Sequence, residues 1–292
     1  MNKIIRIGSR KSKLALIQAK HVQNNLNKLK IKSEIIGIES EGDKILNKPV
    51  YNLGITGIFT KNLDLALLNN NIDVAVHSLK DVPTSVPEGI VQSAVLERYK
   101  SKDLIICKVS VNNLSEISSI LTGSIRRKYQ WLFKFPNQKV LPIRGNVNTR
   151  IKKFKKSNHD GLIIAEAALD RLSISNFKTF KLDWMIPAPG QGAIGVFNRV
   201  CDTKITQILN SINHKKTQIC TDIERDFLKS LDGGCSSPIA AEAEIVNNIL
   251  TFNGGIFNYE QNEKKVISKK ITNGRYKQIG FLLANEMKKL MS

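Results

Sequence analysis

Arginines that could bind an anion recur beside short polar segments of this sequence. They stand in SRKS (9–12), SIRR (124–127) and RGNVNTR (144–150). Each segment lies at or just before the start of a predicted helix, where basic side chains oppose the positive end of the helix dipole. A bound anion would relieve that conflict. Because arginine binds a carboxylate through two parallel hydrogen bonds, the pattern predicts a site for a small carboxylated or phosphorylated molecule.

One cysteine stands in a setting that packing does not explain. Cys235 follows two glycines and precedes Ser-Ser-Pro, which predicts a turn. Cys107 and Cys220 lie instead in strand-like and helix-like apolar segments, where a small buried hydrophobic side chain is expected. The four cysteines contain no pair with the spacing of a zinc site, so we expect no metal. The turn therefore favours a reactive or modified sulfur at Cys235.

The formal net charge of +20 suggests a nucleic-acid-binding protein as one alternative. Of the 45 basic residues, however, 34 are lysine and 11 are arginine, and most lysines occur in runs typical of solvated surfaces. Aromatic residues make up only 6% of the chain and form no stripe interleaved with basic residues. We therefore expect no nucleic-acid partner.

Hydropathy gives no sign of a membrane or a secretory route. No stretch approaches the roughly 20 apolar residues that a membrane-spanning helix needs. The first residues, MNKIIRIGSRKSK, lack the apolar run of a signal peptide. We expect a cytoplasmic protein with no membrane partner.

The periodicity of the first two thirds predicts strands that alternate with helices. A short strand ends at Ile7, a second ends near Val76, and a third ends at Ile143. Polar loops follow each of them, and the loop after Val76 contains Lys80 and Asp81. Since ligands of open α/β sheets bind outside the carboxyl ends of the strands, one pocket could collect all three loops.

The last third has a different pattern. A predicted helix from Thr217 to Leu231 precedes three strand-like segments and a final helix, which indicates a small α+β domain with an antiparallel sheet. Just before this region, GQGAIG (190–195) matches a dinucleotide-binding fingerprint by its letters. It leads into a strand instead of a helix, so we give the nucleotide interpretation little weight.

Six segments resemble, in the same order along the chain, the signatures of porphobilinogen deaminases. They are IGSRKSKLALIQA (7–19), AVHSLKDVP (75–83), SIRR (124–127), RGNVNTR (144–150), PAPGQGAIG (187–195) and DGGCSSPI (232–239). The resemblance implies an α/β fold with two doubly wound domains like those of periplasmic binding proteins, and a small α+β C-terminal domain with a three-stranded antiparallel sheet. It implies domain 1 at 1–98 and 193–212, domain 2 at 99–192 and domain 3 at 213–292.

The resemblance also implies an activity. Members of this family are transferases, hydroxymethylbilane synthases, which condense four porphobilinogen molecules with loss of ammonia on a covalent dipyrromethane cofactor. Hydrolysis then releases hydroxymethylbilane. A monomer is expected. A non-enzymatic anion-binding protein with the same two-domain architecture is the alternative, because a cleft with placed arginines would suit another anionic ligand equally well.

The residues that match the family's functional positions fall into three groups. Cys235 matches the cysteine that carries the cofactor through a thioether, and Asp81 matches the catalytic acid. The other implied cofactor-binding residues are Lys80, Ser124, Arg126, Arg127 and Arg144. The implied substrate-binding residues are Arg10, Ser12, Phe59, Arg150, Arg171 and Gln191. Glu41, Asn52 and Thr56 depart from the pattern, since they stand where the family usually has basic residues.

Overall fold

The computed structural model describes residues 4–40, 57–234, 237–272, 274 and 276–291. The predicted cofactor cysteine, Cys235, lies outside the described residues, as do Glu41, Asn52 and Thr56.

The first sheet has five strands, and β-branched side chains fill its core. Its strands are Ile5–Arg10 (β1), Ser33–Ile38 (β2), Val74–Ser78 (β3), Ile90–Val95 (β4) and Ile194–Arg199 (β10). They lie in the order β2-β1-β3-β10-β4, with β10 antiparallel to both of its neighbours. The flanking helices are Lys13–Lys28 (α1), Lys61–Leu68 (α2) and Thr203–Asn210 (α6). Ala19, Val22 and Leu26 recur every three or four residues along α1, and this stripe packs against β1 and β3.

The second sheet repeats the arrangement of the first. Its strands are Asp103–Cys107 (β5), Ser119–Leu121 (β6), Lys139–Leu141 (β7), Gly161–Ala165 (β8) and Lys178–Lys181 (β9). Their order is β7-β6-β8-β5-β9, and β5 is antiparallel to β8 and β9. The helices are Ile125–Lys134 (α3), Val147–Lys155 (α4) and Glu166–Arg171 (α5). Along β5, Leu104 and Ile106 join one core cluster while Ile105 and Cys107 join another, so both faces of the sheet are covered.

The third sheet is antiparallel and is covered by helices. Its strands are Ile239–Val246 (β11), Ile249–Asn258 (β12) and Glu263–Ile271 (β13). The helices are Lys215–Ser230 (α7) and Ile279–Lys289 (α8). Phe227, Phe252, Leu283 and Met287 form the buried centre between helices and sheet. The predicted fold class, two doubly wound α/β domains and a small α+β domain, is therefore confirmed, while the exact domain boundaries stay a prediction.

The chain crosses between the first two sheets twice, and the two crossing segments are tied to each other. The amide of Tyr99, between β4 and β5, donates to the carbonyl of Gly192, between β9 and β10, at 3.3 Å. Beside them, Arg98 forms a two-pronged ion pair with Glu224 of α7, with both N···O distances at 2.7 Å. The crossing segments are thus connected to the third sheet's helices as well as to each other.

Gly192 is the tightest point of this crossing. Its φ is +86°, and a Cβ built there would lie 2.6 Å from the carbonyl oxygen of Lys100. We expect Gly192→Ala to lower the free energy of unfolding in urea by about 1 to 3 kcal/mol, from the left-handed backbone and the crowding together. Gly274→Ala is the matched control, because Gly274 has φ +67° but a Cβ built there would meet nothing within 4 Å. An equal decrease in the free energy of unfolding in the two variants would show that the contact with Lys100 does not destabilise Gly192→Ala.

Of the helices that the structure describes, none combines the length and apolar character required to cross a membrane.

Candidate active site

A cavity of about 710 Å³ opens between the first two sheets. The segments predicted to follow strands at Ile7, Val76 and Ile143 line it, although β1 and β3 run on to Arg10 and Ser78 and β7 ends earlier, at Leu141. Those three segments therefore meet in one pocket, as predicted.

Positive charge dominates the wall of this cavity. Among the described residues, the carboxylates that line it are Asp81 and Asp232. The lining cations are Arg10, Lys80, Arg126, Arg127, Arg144 and Arg150. Such an excess of cations in a concave, partly desolvated space favours a ligand with several negative charges.

Three helices begin at the cavity and add the positive ends of their dipoles. Ser12 caps α1 by accepting from the amide of Ala15 at 3.4 Å, and Ser124 caps α3 by accepting from that of Arg127 at 3.4 Å. Asn146 caps α4. None of the three helices has an acidic residue in its first turn. The conflict inferred from the sequence, basic residues at helix N-termini, is therefore present three times around one space.

Burial and mutual repulsion lower the pKa of two cations in the cavity. Burial and the neighbouring charges of Arg127 and Arg144 lower the pKa of Arg150 to about 10. Burial, followed by the charge of Arg127, lowers the pKa of Lys80 to about 8. The negative charge of Asp81 acts in the opposite direction on both groups. Further carboxylates supplied by a ligand would stabilise the charged forms in the same way.

A short turn carries Lys80 and Asp81 into the cavity. Leu79–Asp81 forms one turn of 3₁₀ helix directly after β3, and the fully buried Leu79 anchors it. The Leu79 amide donates to the carbonyl of Ala193 at 3.1 Å, which ties the turn to the second crossing segment. The Lys80 ammonium donates to the side-chain oxygen of Gln191 at 3.2 Å. The turn thus fixes one cation and one carboxylate side by side at the cavity wall.

Comparison with known proteins decides the family. A family model described as "Porphobilinogen deaminase, dipyromethane cofactor binding domain" matches residues 5–207, and "Porphobilinogen deaminase, C-terminal domain" matches 218–289. The chain belongs to the porphobilinogen deaminase family. The porphobilinogen deaminase of Campylobacter hominis is 39% identical over 98% of this chain and 94% of its own. The probable porphobilinogen deaminase of Methanocaldococcus jannaschii is 44% identical over 82% of each chain.

These matches confirm the family predicted from the sequence. They also support a porphobilinogen deaminase activity over the alternative of a non-enzymatic anion-binding protein. The first of the two matching models also supports the predicted dipyrromethane cofactor. Among solved structures, the periplasmic VFT2 domain of Bordetella pertussis BvgS aligns with 72% of this chain and 86% of its own at 12% identity, with a TM-score of 0.42.

Most of the predicted site residues that the structure describes meet at the cavity. Arg10 and Phe59 line it together, with the guanidinium carbon 4.5 Å from the centre of the ring. The other predicted residues that line it are Ser12, Lys80, Asp81, Ser124, Arg126, Arg127, Arg144, Arg150 and Gln191.

Among the predicted site residues that the structure describes, Arg171 is the exception, because it does not line the cavity. It ends α5, and its guanidinium donates to the carbonyl of Gly192 at 2.9 Å and lies 5.9 Å from the centre of the Tyr99 ring. Arg171 therefore braces the crossing segments. The sequence could not show which way this side chain points.

Asp103 is a central residue that sequence reasoning missed. Arg126 donates to one of its carboxylate oxygens at 2.8 Å and Arg127 to the other at 2.7 Å. Gln191 adds a hydrogen bond at 2.9 Å. Burial alone would raise the pKa of Asp103, but the two arginines outweigh it and hold that pKa well below its usual range. The available signal was a charged residue opening the apolar strand DLIIC, since a buried charge requires a partner.

The pairing with Asp103 changes the interpretation of Arg126 and Arg127. Both were predicted as cofactor-binding residues, and both line the cavity. Their guanidinium groups are also committed to protein partners, since Arg126 donates to the carbonyl of Ile186 at 2.7 Å and Arg127 to that of Ile163 at 3.1 Å. They are held rigidly, so they present a fixed positive wall to any anion.

His77 also lines the cavity and was not among the predicted site residues. Burial and then the charge of Arg10 lower its pKa to about 3, so the imidazole is neutral near pH 7. Its ring meets Phe197 edge to face at 5.5 Å between centres. No group of three or more His, Cys, Asp or Glu side chains within the described ranges could hold a metal ion.

Proposed function

We propose that this protein condenses four porphobilinogen molecules, each with loss of ammonia, on a dipyrromethane joined to the sulfur of Cys235, and releases hydroxymethylbilane by hydrolysis. The observation that carries the proposal is the cavity wall, where, among the described residues, six cations and three helix N-termini surround Asp81. Porphobilinogen bears acetate and propionate side chains, so a growing chain of pyrroles presents many carboxylates. The charge of the wall matches that substrate.

The residues around position 235 fit a covalently attached polycarboxylate. Gly234 and Ser237, on either side of Cys235 and its neighbour, both line the cavity. They are joined by a hydrogen bond of 2.8 Å from the Gly234 amide to the Ser237 hydroxyl. A Cβ built at Gly234 would meet nothing within 4 Å, so there is open space beside it. A dipyrromethane attached there would supply the pyrrole carbon from which the chain grows, and the cationic wall would hold its carboxylates.

The proposed substrate-binding residues are Arg10, Ser12, Phe59, Arg150 and Gln191, and those for the cofactor are Lys80, Asp81, Ser124, Arg126, Arg127 and Arg144. Arg10 ends β1 of the first sheet and Arg150 lies on α4 beside the second sheet, so together they can hold carboxylates on two sides of a pyrrole ring. Arg171, which the family resemblance assigns to substrate binding, serves in this proposal as a brace of the crossing segments.

Asp81 is the proposed catalytic group. The C–N bond of the substrate's protonated aminomethyl group breaks, ammonia leaves with the bonding electrons, and a cationic azafulvene remains. The Asp81 carboxylate stabilises that cation through the pyrrole N–H. When the new C–C bond to the growing chain has formed, the ring carbon loses a proton, which Asp81 can accept. The proposal further assigns the protein to the cytoplasm as a monomer that needs no nucleic-acid or membrane partner.

Intact-mass measurement tests the proposal. The purified protein should carry a covalent excess of two pyrrole units, and Cys235→Ser should lack both the excess and the activity. Cys201→Ser is the matched control, because Cys201 is an exposed free cysteine away from the cavity and its loss should change neither mass excess nor turnover. A protein without any adduct that still forms hydroxymethylbilane would contradict the proposal.

A further inference from the structure

Arg225 of α7 holds the backbone of the loop that presents Asp81. Its guanidinium donates to the carbonyl of Val82 at 2.9 Å and to that of Pro83 at 2.7 Å. A longer contact, 3.4 Å, reaches the carbonyl of Leu79. All three acceptors lie within or just after the 3₁₀ turn Leu79–Asp81, where carbonyl groups at the end of a helical turn lack helical partners. Arg225 therefore acts as a side-chain cap delivered from another sheet's helix.

The same turn is supported on its other side by the second crossing segment. Gly190 approaches the turn so closely that a Cβ added to it would lie 3.2 Å from the backbone nitrogen of Lys80. Together with the bond from Leu79 to Ala193, this contact holds the start of the turn. The end of the turn depends on Arg225, since the guanidinium binds the carbonyls of Val82 and Pro83, the two residues that follow the turn.

Helix α7 also leads directly to the proposed cofactor attachment point. It ends at Ser230, and the residues that follow, Asp232 to Gly234, line the cavity next to position 235. Cys220, Ile223, Phe227 and Leu228 bury one side of the helix in the third core, which fixes it as a unit. A single helix therefore contacts the turn that bears Asp81 and supports the segment that precedes Cys235.

We propose that Arg225 is a positioning residue that sets where the Asp81 carboxylate stands relative to the pyrroles carried on Cys235. This inference rests on the proposed function, because it requires a chain attached after α7. Arg225 is not a cavity-lining residue, so it acts through the backbone of residues 79–83 and not on the substrate itself. A shift of about 1 Å in a catalytic group can lower a rate a hundredfold, which makes such a brace consequential.

The test compares Arg225→Ala and Arg225→Lys with wild type, using intact mass, kcat, KM and the melting temperature. We expect Arg225→Ala to retain the covalent cofactor and to lose between about tenfold and a hundredfold in kcat, with KM for porphobilinogen changed little. Lysine can reach one carbonyl but not three, so Arg225→Lys should recover part of kcat. Guanidinium ion at millimolar concentration should restore part of kcat to Arg225→Ala.

Arg199→Ala is the matched control. The Arg199 guanidinium likewise donates to two backbone carbonyls, those of Leu67 and Ile72, but these lie away from the cavity. This variant should have a lower melting temperature with kcat unchanged at assay temperatures well below it.

Normal kcat in a cofactor-loaded Arg225→Ala would overturn the inference, and so would an Arg225→Ala protein that fails to acquire the cofactor. If the alanine variant does not fold, a loaded Arg225→Lys with wild-type kcat would overturn the inference as well. A wild-type protein without any adduct would instead refute the proposed function, so the two failures are distinguishable.

Discussion

Asp81→Asn is expected to lower kcat for hydroxymethylbilane formation by about two to four orders of magnitude while the covalent cofactor stays attached. Asparagine keeps the shape of the side chain but carries no charge and cannot accept a proton at neutral pH. Asp81 lies among cations, and its charge acts on both Lys80 and Arg150. The loss therefore removes the proposed stabilisation of the azafulvene cation and leaves the binding wall in place.

The same variant separates binding from chemistry. Because the lining arginines remain, KM for porphobilinogen should change much less than kcat. Steady-state kinetics combined with intact mass checks both points on one sample. Asp183→Asn is the control, since Asp183 is an exposed aspartate that does not line the cavity, and its kcat should equal that of wild type. Near-normal turnover in Asp81→Asn would remove Asp81 from the mechanism.

The fold was predictable because the relevant signals are local. Alternating and continuous apolar runs mark buried strands, and the carboxyl ends of parallel strands in one sheet share one edge. Arg10 ends such a strand and Asp81 and Arg144 each follow one, so their convergence on one pocket follows from the order of elements alone. The change of pattern in the last third of the chain likewise predicted the separate antiparallel sheet.

The contacts between distant segments could not be predicted in this way. Asp103 meets Arg126 and Arg127 across 23 and 24 positions, and Arg225 meets Val82 across 143. Hydrophobic periodicity or a motif indicates which face of a helix or strand a residue occupies. Neither indicates which side chain from another element contacts that residue. Arg171 shows the same limit, because the sequence does not give the direction of its side chain at the end of α5.

Asp103→Asn is expected to lower the free energy of unfolding by about 3 to 5 kcal/mol at pH 7. Its carboxylate is fully buried and accepts from both Arg126 and Arg127, so the amide would leave two buried guanidinium charges without their counter-ion. The two arginines would also repel each other more strongly at the cavity wall. Urea unfolding of wild type and variant measures the difference in the free energy of unfolding. Asp183→Asn is again the control, because Asp183 is exposed.

The pH dependence of that stability gives a second, independent readout. Burial raises the pKa of Asp103 in the folded protein, but Arg126 and Arg127 outweigh it and lower that pKa. The unfolded chain therefore protonates the Asp103 carboxylate more readily than the folded protein does. The stabilisation from Asp103 is therefore complete above the unfolded pKa of about 4 and is lost as pH falls through the lower folded pKa. Asp103→Asn should lack this part of the acid-induced loss, so its stability should converge on that of wild type below pH 4. A constant difference between the two proteins from pH 7 to pH 3 would show that the cluster is stabilised by packing and not by the charge of Asp103.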